Sequence, residues 1–211
     1  MQKLITVFGF LLLIGCNTPA EQPPVSPLLE GGAEAADAFL LTWQAGNMVV
    51  LIRHTERCDH SDNPCLDGDT GITVVGRDMA QQLGEFFTQL PDVNQQIYTS
   101  PVKRTEQTAI SMFGDNPSKA DWLGRACKNE MFDQALSNKK PGENLFLVTH
   151  SNCIMDFGEA DGRDLVSLDL HDFESYGIVF FFSMGADLRG KGHLLPSDWP
   201  VFLTAMRSQT P

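Results

Sequence analysis

The chain has 211 residues, with 27 acidic against 15 basic side chains and a formal net charge of −12. That balance gives a nucleic-acid partner no electrostatic support, and an anionic ligand must be drawn by positive charge concentrated in one place. With residues 1–32 set aside as leader and linker, about 180 remain, enough for one hydrophobic core and too few for two.

Lys3 is the only charge ahead of an apolar stretch over residues 4–14, too short to cross a bilayer as a mature helix and read as an export signal. It ends in Leu13-Ile14-Gly15-Cys16, which resembles the bacterial lipobox. The resemblance implies a signal peptide over residues 1–15, cleavage before Cys16 and a lipid on that cysteine. An ordinary secretory signal with an incidental cysteine is the alternative. Residues 16–32, with Pro19, Pro23, Pro24 and Pro27, suit a flexible tether, and residues 33–211 form the expected domain. The expected location is the periplasm, on a membrane anchor. Asn17 is not the aspartate tied to inner-membrane retention, which favours the outer membrane.

The tether gives way to a short helix over 33–43 and then to a first central strand over 48–52, which ends Leu51-Ile52-Arg53-His54. After a polar loop, Val75, Met79, Leu83, Phe86 and Leu90 recur at helical spacing, with Thr73 as the cap. A strand over 97–99 follows, then Ser100-Pro101 as cap and first helical position of a helix to about 113. A weaker strand over 120–123 precedes a helix over 129–136. A second apolar strand over 145–149 runs into His150, and Ser151 caps another helix. The strand over 178–183 is the last, and the glycine-rich stretch after it reads as turn and tail. Strands alternating with helices predict an α/β three-layer sandwich, with a mostly parallel central sheet flanked by helices.

With Cys16 lipidated, Cys58, Cys65, Cys127 and Cys153 remain. An even number in an exported chain suggests disulfides, with three connectivities open. Zinc at Cys58, His60 and Cys65 is the rival, but the spacing matches no common zinc motif and no metal is expected. The acidic segment 59–69 is no calcium loop of EF-hand type, because Pro64 stands at the turn glycine and Thr70 at the bidentate glutamate.

In open α/β sheets ligands gather beyond the carboxyl ends of the strands, where His54 and His150 are released. Arg53, Arg57 and Arg104 lie in the segments expected to reach the same edge. Guanidiniums bind phosphate oxygens bidentately, a neutral imidazole attacks phosphorus, and the helix start after His150 offers free amides. Arg57 has a plainer alternative, an ion pair with Asp59. His60, His171 and His193 belong to no such group and read as surface.

At these positions the sequence resembles the histidine phosphatase superfamily, the phosphoglycerate-mutase-like proteins. The segments are Leu51-Ile52-Arg53-His54-Thr55-Glu56-Arg57, Thr99-Ser100-Pro101-Val102-Lys103-Arg104-Thr105-Glu106 and Val148-Thr149-His150-Ser151. The resemblance implies His54 as the phosphorylated nucleophile, and Arg53, Arg104 and His150 as ligands of the phosphoryl group. Arg57-Cys58-Asp59, Ser61-Asp62-Asn63 and Cys127-Lys128-Asn129-Glu130 are similar to one branch, exported phosphatases of heptose phosphate in lipopolysaccharide core. The expected function is therefore a lipid-anchored, cofactor-free phosphomonoesterase acting on a phosphorylated sugar. The alternatives are a phosphatase of small periplasmic phosphoesters and a non-catalytic phosphate-binding module. The sequence departs from the family in carrying Thr55 after the nucleophile and in lacking the usual acid motif. Glu130 stands in the segment where the family places its acid, with Asp133 and Glu56 as rivals.

Overall fold

The computed structural model describes residues 28–114, 117–124, 127–128, 130–159, 170, 175–184 and 188–207. The expected signal peptide, the expected lipidation site Cys16, most of the expected tether and His171 lie outside them. Among the described residues no helix is long and apolar enough to cross a membrane.

Strands β1 (Met48–Arg53), β2 (Gln95–Thr99), β3 (Ser118–Lys119), β4 (Asn144–Thr149), β5 (Val179–Met184) and β6 (Leu188–Leu194) form one sheet. Their order is β3-β2-β4-β1-β5-β6. The pairs β1–β4, β2–β4 and β2–β3 are parallel, while β5 runs antiparallel to both β1 and β6. The apolar runs of β1 and β4 are buried at every residue, because helices cover both faces of the sheet.

Strand alternation divides the core in two. Val50, Ile52, Phe146, Val148 and Phe181 face α1 (Gly32–Gln44), α2 (Val74–Thr88), α3 (Lys103–Phe113) and α6 (Trp199–Arg207). Phe39, Trp43, Leu83, Phe86 and Phe202 fill that layer. Val49, Leu51, Leu145, Leu147, Phe180 and Phe182 face the other way, against α4 (Met131–Asn138) and α5 (Ser151–Glu159). The predicted three-layer α/β class is the observed one.

Asn144 at the start of β4 accepts the Met48 amide at 2.9 Å and donates to the Trp43 carbonyl at 3.0 Å. It thereby ties β4 to the entrance of β1 and to the end of α1. Each of these buried polar groups finds a partner that water cannot supply there.

Several local expectations need correction. The strand expected over 120–123 is instead β3 at Ser118–Lys119 followed by a 3₁₀ turn, Asp121–Leu123. α3 starts at Lys103, not Pro101, since Ser100 turns its hydroxyl toward the site described below. The tail after β5 is an edge strand, β6, and a helix, α6. Gly190 and Gly192 interrupt any side-chain alternation in β6, and a register shift faces them at Phe181/Phe182, so no period-two signal exists to read. Gly192 has φ +145, and a Cβ there would lie 3.0 Å from Leu28. Leu28, assigned by composition to the tether, is accordingly buried against this edge strand, so packing begins before residue 32. His193 is not a surface residue: it is 3 % exposed, its ring 5.5 Å from that of Phe180.

Candidate active site

Parallel pairing places three strand ends side by side. Arg53 is in register with Thr149, and Thr99 with Val148. His54 then donates its amide to the Thr149 carbonyl at 3.0 Å, and Ser100 donates to the Val148 carbonyl at 3.0 Å. His54, Ser100 and His150 therefore leave the sheet together at its carboxyl edge. Because β5 is antiparallel, its beginning lies at that same edge, which delivers Ser175 and Tyr176.

Arg104, in the first turn of α3, reaches both imidazoles. Its Nε donates to His54 Nε2 at 3.1 Å and its Nη2 to His150 Nδ1 at 3.1 Å. The two imidazole ring centres are 5.5 Å apart. His54 Nδ1 lies 2.8 Å from the Thr55 carbonyl, which can only accept, so Nδ1 carries the proton and Nε2 presents its lone pair. Since Arg104 can only donate, His150 accepts at Nδ1, and its Nε2 donates to Ser100 Oγ at 3.0 Å.

His54, Arg53 and His150 are 4, 5 and 6 % exposed. Burial, followed by the Arg104, His150 and Arg53 charges, holds the His54 imidazole well below its usual pKa against the opposing Thr55 hydrogen bond. Burial first, then the Arg104 and Arg57 charges, lowers His150 to about 4. Both rings are thus neutral at neutral pH, with cationic guanidiniums held beside them.

Arg53 is fixed from two sides. Its Nη1 donates to Ser175 Oγ, and its guanidinium lies 4.2 Å from the centre of the Tyr176 ring. That ring is also 5.7 Å from the His54 ring. Burial, the largest influence, raises the Tyr176 phenol pKa, so it stays protonated. Ser100, Ser175 and Tyr176 were not among the residues expected at the site. Ser100 was visible in sequence only as a helix cap. The placement of Tyr176 depends on β5 running antiparallel, which its composition does not reveal.

Thr55 does not disturb the loop. It is fully buried, its amide donates to Thr108 Oγ1 at 3.2 Å, and the two hydroxyls are 3.1 Å apart. Thr108 also donates to the Arg104 carbonyl at 2.8 Å, so one hydroxyl joins the His54 loop to the helix that carries Arg104. α2 comes equally close: a Cβ on Gly76 would meet the Glu56 carbonyl at 2.7 Å.

The remaining candidates divide. Arg57 makes a two-pronged ion pair with Asp59 and is close enough to lower the His150 pKa. Glu56 accepts from Ser61 at 2.6 Å, Thr73 at 2.7 Å and Asn63 at 3.1 Å. Burial raises its pKa, but these three donors outweigh that and bring it below the usual carboxylate value. Glu130 is exposed at the N-cap of α4, Asp133 is exposed within α4, and no hydrogen bond described at the site involves either. The cysteines pair as Cys58–Cys65 and Cys127–Cys153, with Cα separations of 5.4 and 5.5 Å. The first pair closes the loop after His54 and uses the thiols a zinc at Cys58, His60 and Cys65 would need. The second ties the segment before α4 to α5, directly behind His150.

A cluster of guanidiniums, that of Arg53 buried, and of buried neutral imidazoles at parallel strand ends is suited to a phosphoryl group. The model of the histidine phosphatase superfamily (branch 1) matches residues 49–120, which include His54 and Arg104. The SixA protein of Agrobacterium tumefaciens superposes with a TM-score of 0.55 at 19 % identity, over 72 % of this chain and 99 % of that one. The protein histidine phosphatase SixA complexed with tungstate gives 0.54 at 13 % identity, over 72 % and 98 %. The sheet and the helices around the site share the core fold of these two structures.

In sequence, this chain is similar to the lipopolysaccharide core heptose(II)-phosphate phosphatase of Escherichia coli O6:K15:H31 (strain 536 / UPEC). The two are 39 % identical over 110 residues, 51 % of this chain and 54 % of the relative. The protein of the same name from Escherichia coli O1:K1 / APEC is 38 % identical over the same lengths. The chain thus spans about half the length of the curated relatives it matches.

Proposed function

We propose that this protein is a phosphomonoesterase that works through a phosphohistidine at His54. The observation that carries the reading is the His54 ring, whose protonated Nδ1 is anchored on Thr55 and whose Nε2 lone pair meets Arg104 beside His150. In the first step Nε2 attacks phosphorus and the bond from phosphorus to the ester oxygen breaks. In the second, water attacks the phosphohistidine and returns the imidazole. Arg53 and Arg104 stabilise the charge on the equatorial oxygens, and Arg57 adds to the field from its pair with Asp59. No step requires a cofactor.

The departing alkoxide needs a proton. Glu56 is a poor donor because three hydrogen bonds hold it as a carboxylate. We assign the role to Glu130, which is supported by its position in sequence. Glu130→Gln is expected to slow hydrolysis of an alkyl phosphate about 100-fold, while hardly changing 4-nitrophenyl phosphate, whose leaving group needs no proton. Equal losses on both esters would remove Glu130 from this role.

The substrate we propose is the phosphate on heptose of lipopolysaccharide core, supported by the names of the sequence relatives. The lipobox-like Leu13-Ile14-Gly15-Cys16 supports export to the periplasm and a lipid anchor on Cys16, which would keep the enzyme near a membrane-bound substrate. Mass spectrometry of core oligosaccharide from cells lacking the protein should show one additional phosphate on heptose. Unchanged core in those cells would sink the substrate assignment.

A further inference from the structure

A cavity of about 440 Å³ opens beside the phosphoryl site, lined by Glu56, Val75, Met79, Tyr176, Leu195 and Pro196. Tyr176 belongs to both spaces: one ring lines the cavity, covers the Arg53 guanidinium at 4.2 Å and stands 5.7 Å from the His54 ring. Glu56 follows His54 by two residues and brings the cavity's one ionised side chain among these six. Ser197 adds one hydroxyl, and the rest of the wall is aliphatic or aromatic. A group attached to a phosphorus held at His54 has this space next to it, and its volume lies in the range of small-molecule sites.

We propose that this cavity receives the alcohol portion of the phosphomonoester, and that Glu56 makes it select neutral ring-shaped leaving groups over anionic ones. The proposal rests on the phosphatase reading of His54. The aliphatic wall and the Tyr176 ring suit the C–H faces of a sugar or an aryl ring. Glu56 is fixed by Ser61, Asn63 and Thr73, so its charge cannot swing away to accommodate an anion. Nearby cations do not cancel it for the leaving group. Arg57 is paired with Asp59, Arg53 is turned to Ser175 and Tyr176, and Arg104 faces the imidazoles. A second negative charge within about 6 Å of such a carboxylate at a partly screened site is disfavoured on the order of tenfold.

The test uses the purified full-length protein with phenyl phosphate and 4-carboxyphenyl phosphate, which differ by one remote carboxylate. Wild type should show a kcat/KM about tenfold higher for the neutral ester. Glu56→Gln should bring that ratio close to one, chiefly by lowering KM for the carboxylated ester. Because Glu56 also anchors its loop, Val75→Lys provides a second arm at a residue 45 % exposed. It should raise kcat/KM for the carboxylated ester relative to the neutral one several-fold. A wild-type ratio near one, or an unchanged ratio in Val75→Lys, overturns the subsite. Failure of wild type to hydrolyse either ester, with no phosphate on His54, overturns the phosphatase reading instead.

Discussion

Arg104 touches both imidazoles, and since a guanidinium can only donate, it fixes which nitrogen of each ring is left bare. For His54 that is useful, because the bare Nε2 is the atom proposed to attack phosphorus. For His150 it means that Nδ1, the nitrogen facing Arg104, carries no proton in the unliganded site, and its pKa of about 4 keeps it so. A bound oxyanion reverses the balance: Arg104 turns its donors to the anion, and negative charge beside His150 favours the imidazolium. The His150 resonance in an NMR titration should therefore move its midpoint upward by about 2 pH units when tungstate is added. A midpoint that stays near 4 with tungstate bound would show that His150 is not an oxyanion ligand. The same reasoning sets the acid limb for catalysis. His54 loses its lone pair only below a pKa lying well under 6.5, so kcat/KM should persist into mildly acid solution where an ordinary histidine is already protonated.

At the level of elements, the site depends on how closely α2 and α3 approach each other and the His54 loop. A Cβ on Gly84 of α2 would come 2.3 Å from the Met112 carbonyl of α3. Helix propensity alone predicts that Gly84→Ala stabilises by about 1 kcal/mol. The contact predicts the reverse, a loss of roughly 1–3 kcal/mol, read as a lower denaturation midpoint at unchanged slope. A stabilised variant would mean the two helices are not held by this contact. Elements with strong periodicity were legible in the sequence: β1, β4 and α2, with Thr73 capping α2 by accepting from the Gly76 amide. β6 and α6 were not, because two glycines erase the strand alternation and α6 is only nine residues long. The start of α3 was misplaced because a serine before proline looks like a cap, whereas Ser100 Oγ takes the Val102 amide and His150, and the helix begins only at Lys103.

Across the molecule, a chain of net charge −12 gathers Arg53, Arg57 and Arg104 at one edge of one sheet. His54, Arg104 and His150 could be read in advance because their motifs sit at the ends of strands whose parallel pairing the sequence pattern implies. Ser175 and Tyr176 could not, since an antiparallel strand brings them in from a region where motif resemblance fades. The same gap explains why the leaving-group cavity, lined by residues as distant in sequence as Glu56 and Pro196, has no sequence signature. The central claim is that phosphorus becomes bonded to His54. Brief mixing of the full-length protein with ³²P-labelled phosphoester, followed by denaturing quench, should trap label that survives base and is lost in acid. Peptide mapping should place it on His54, and His54→Ala should carry none. Label absent from wild type, or retained in His54→Ala at wild-type hydrolysis rates, would contradict it.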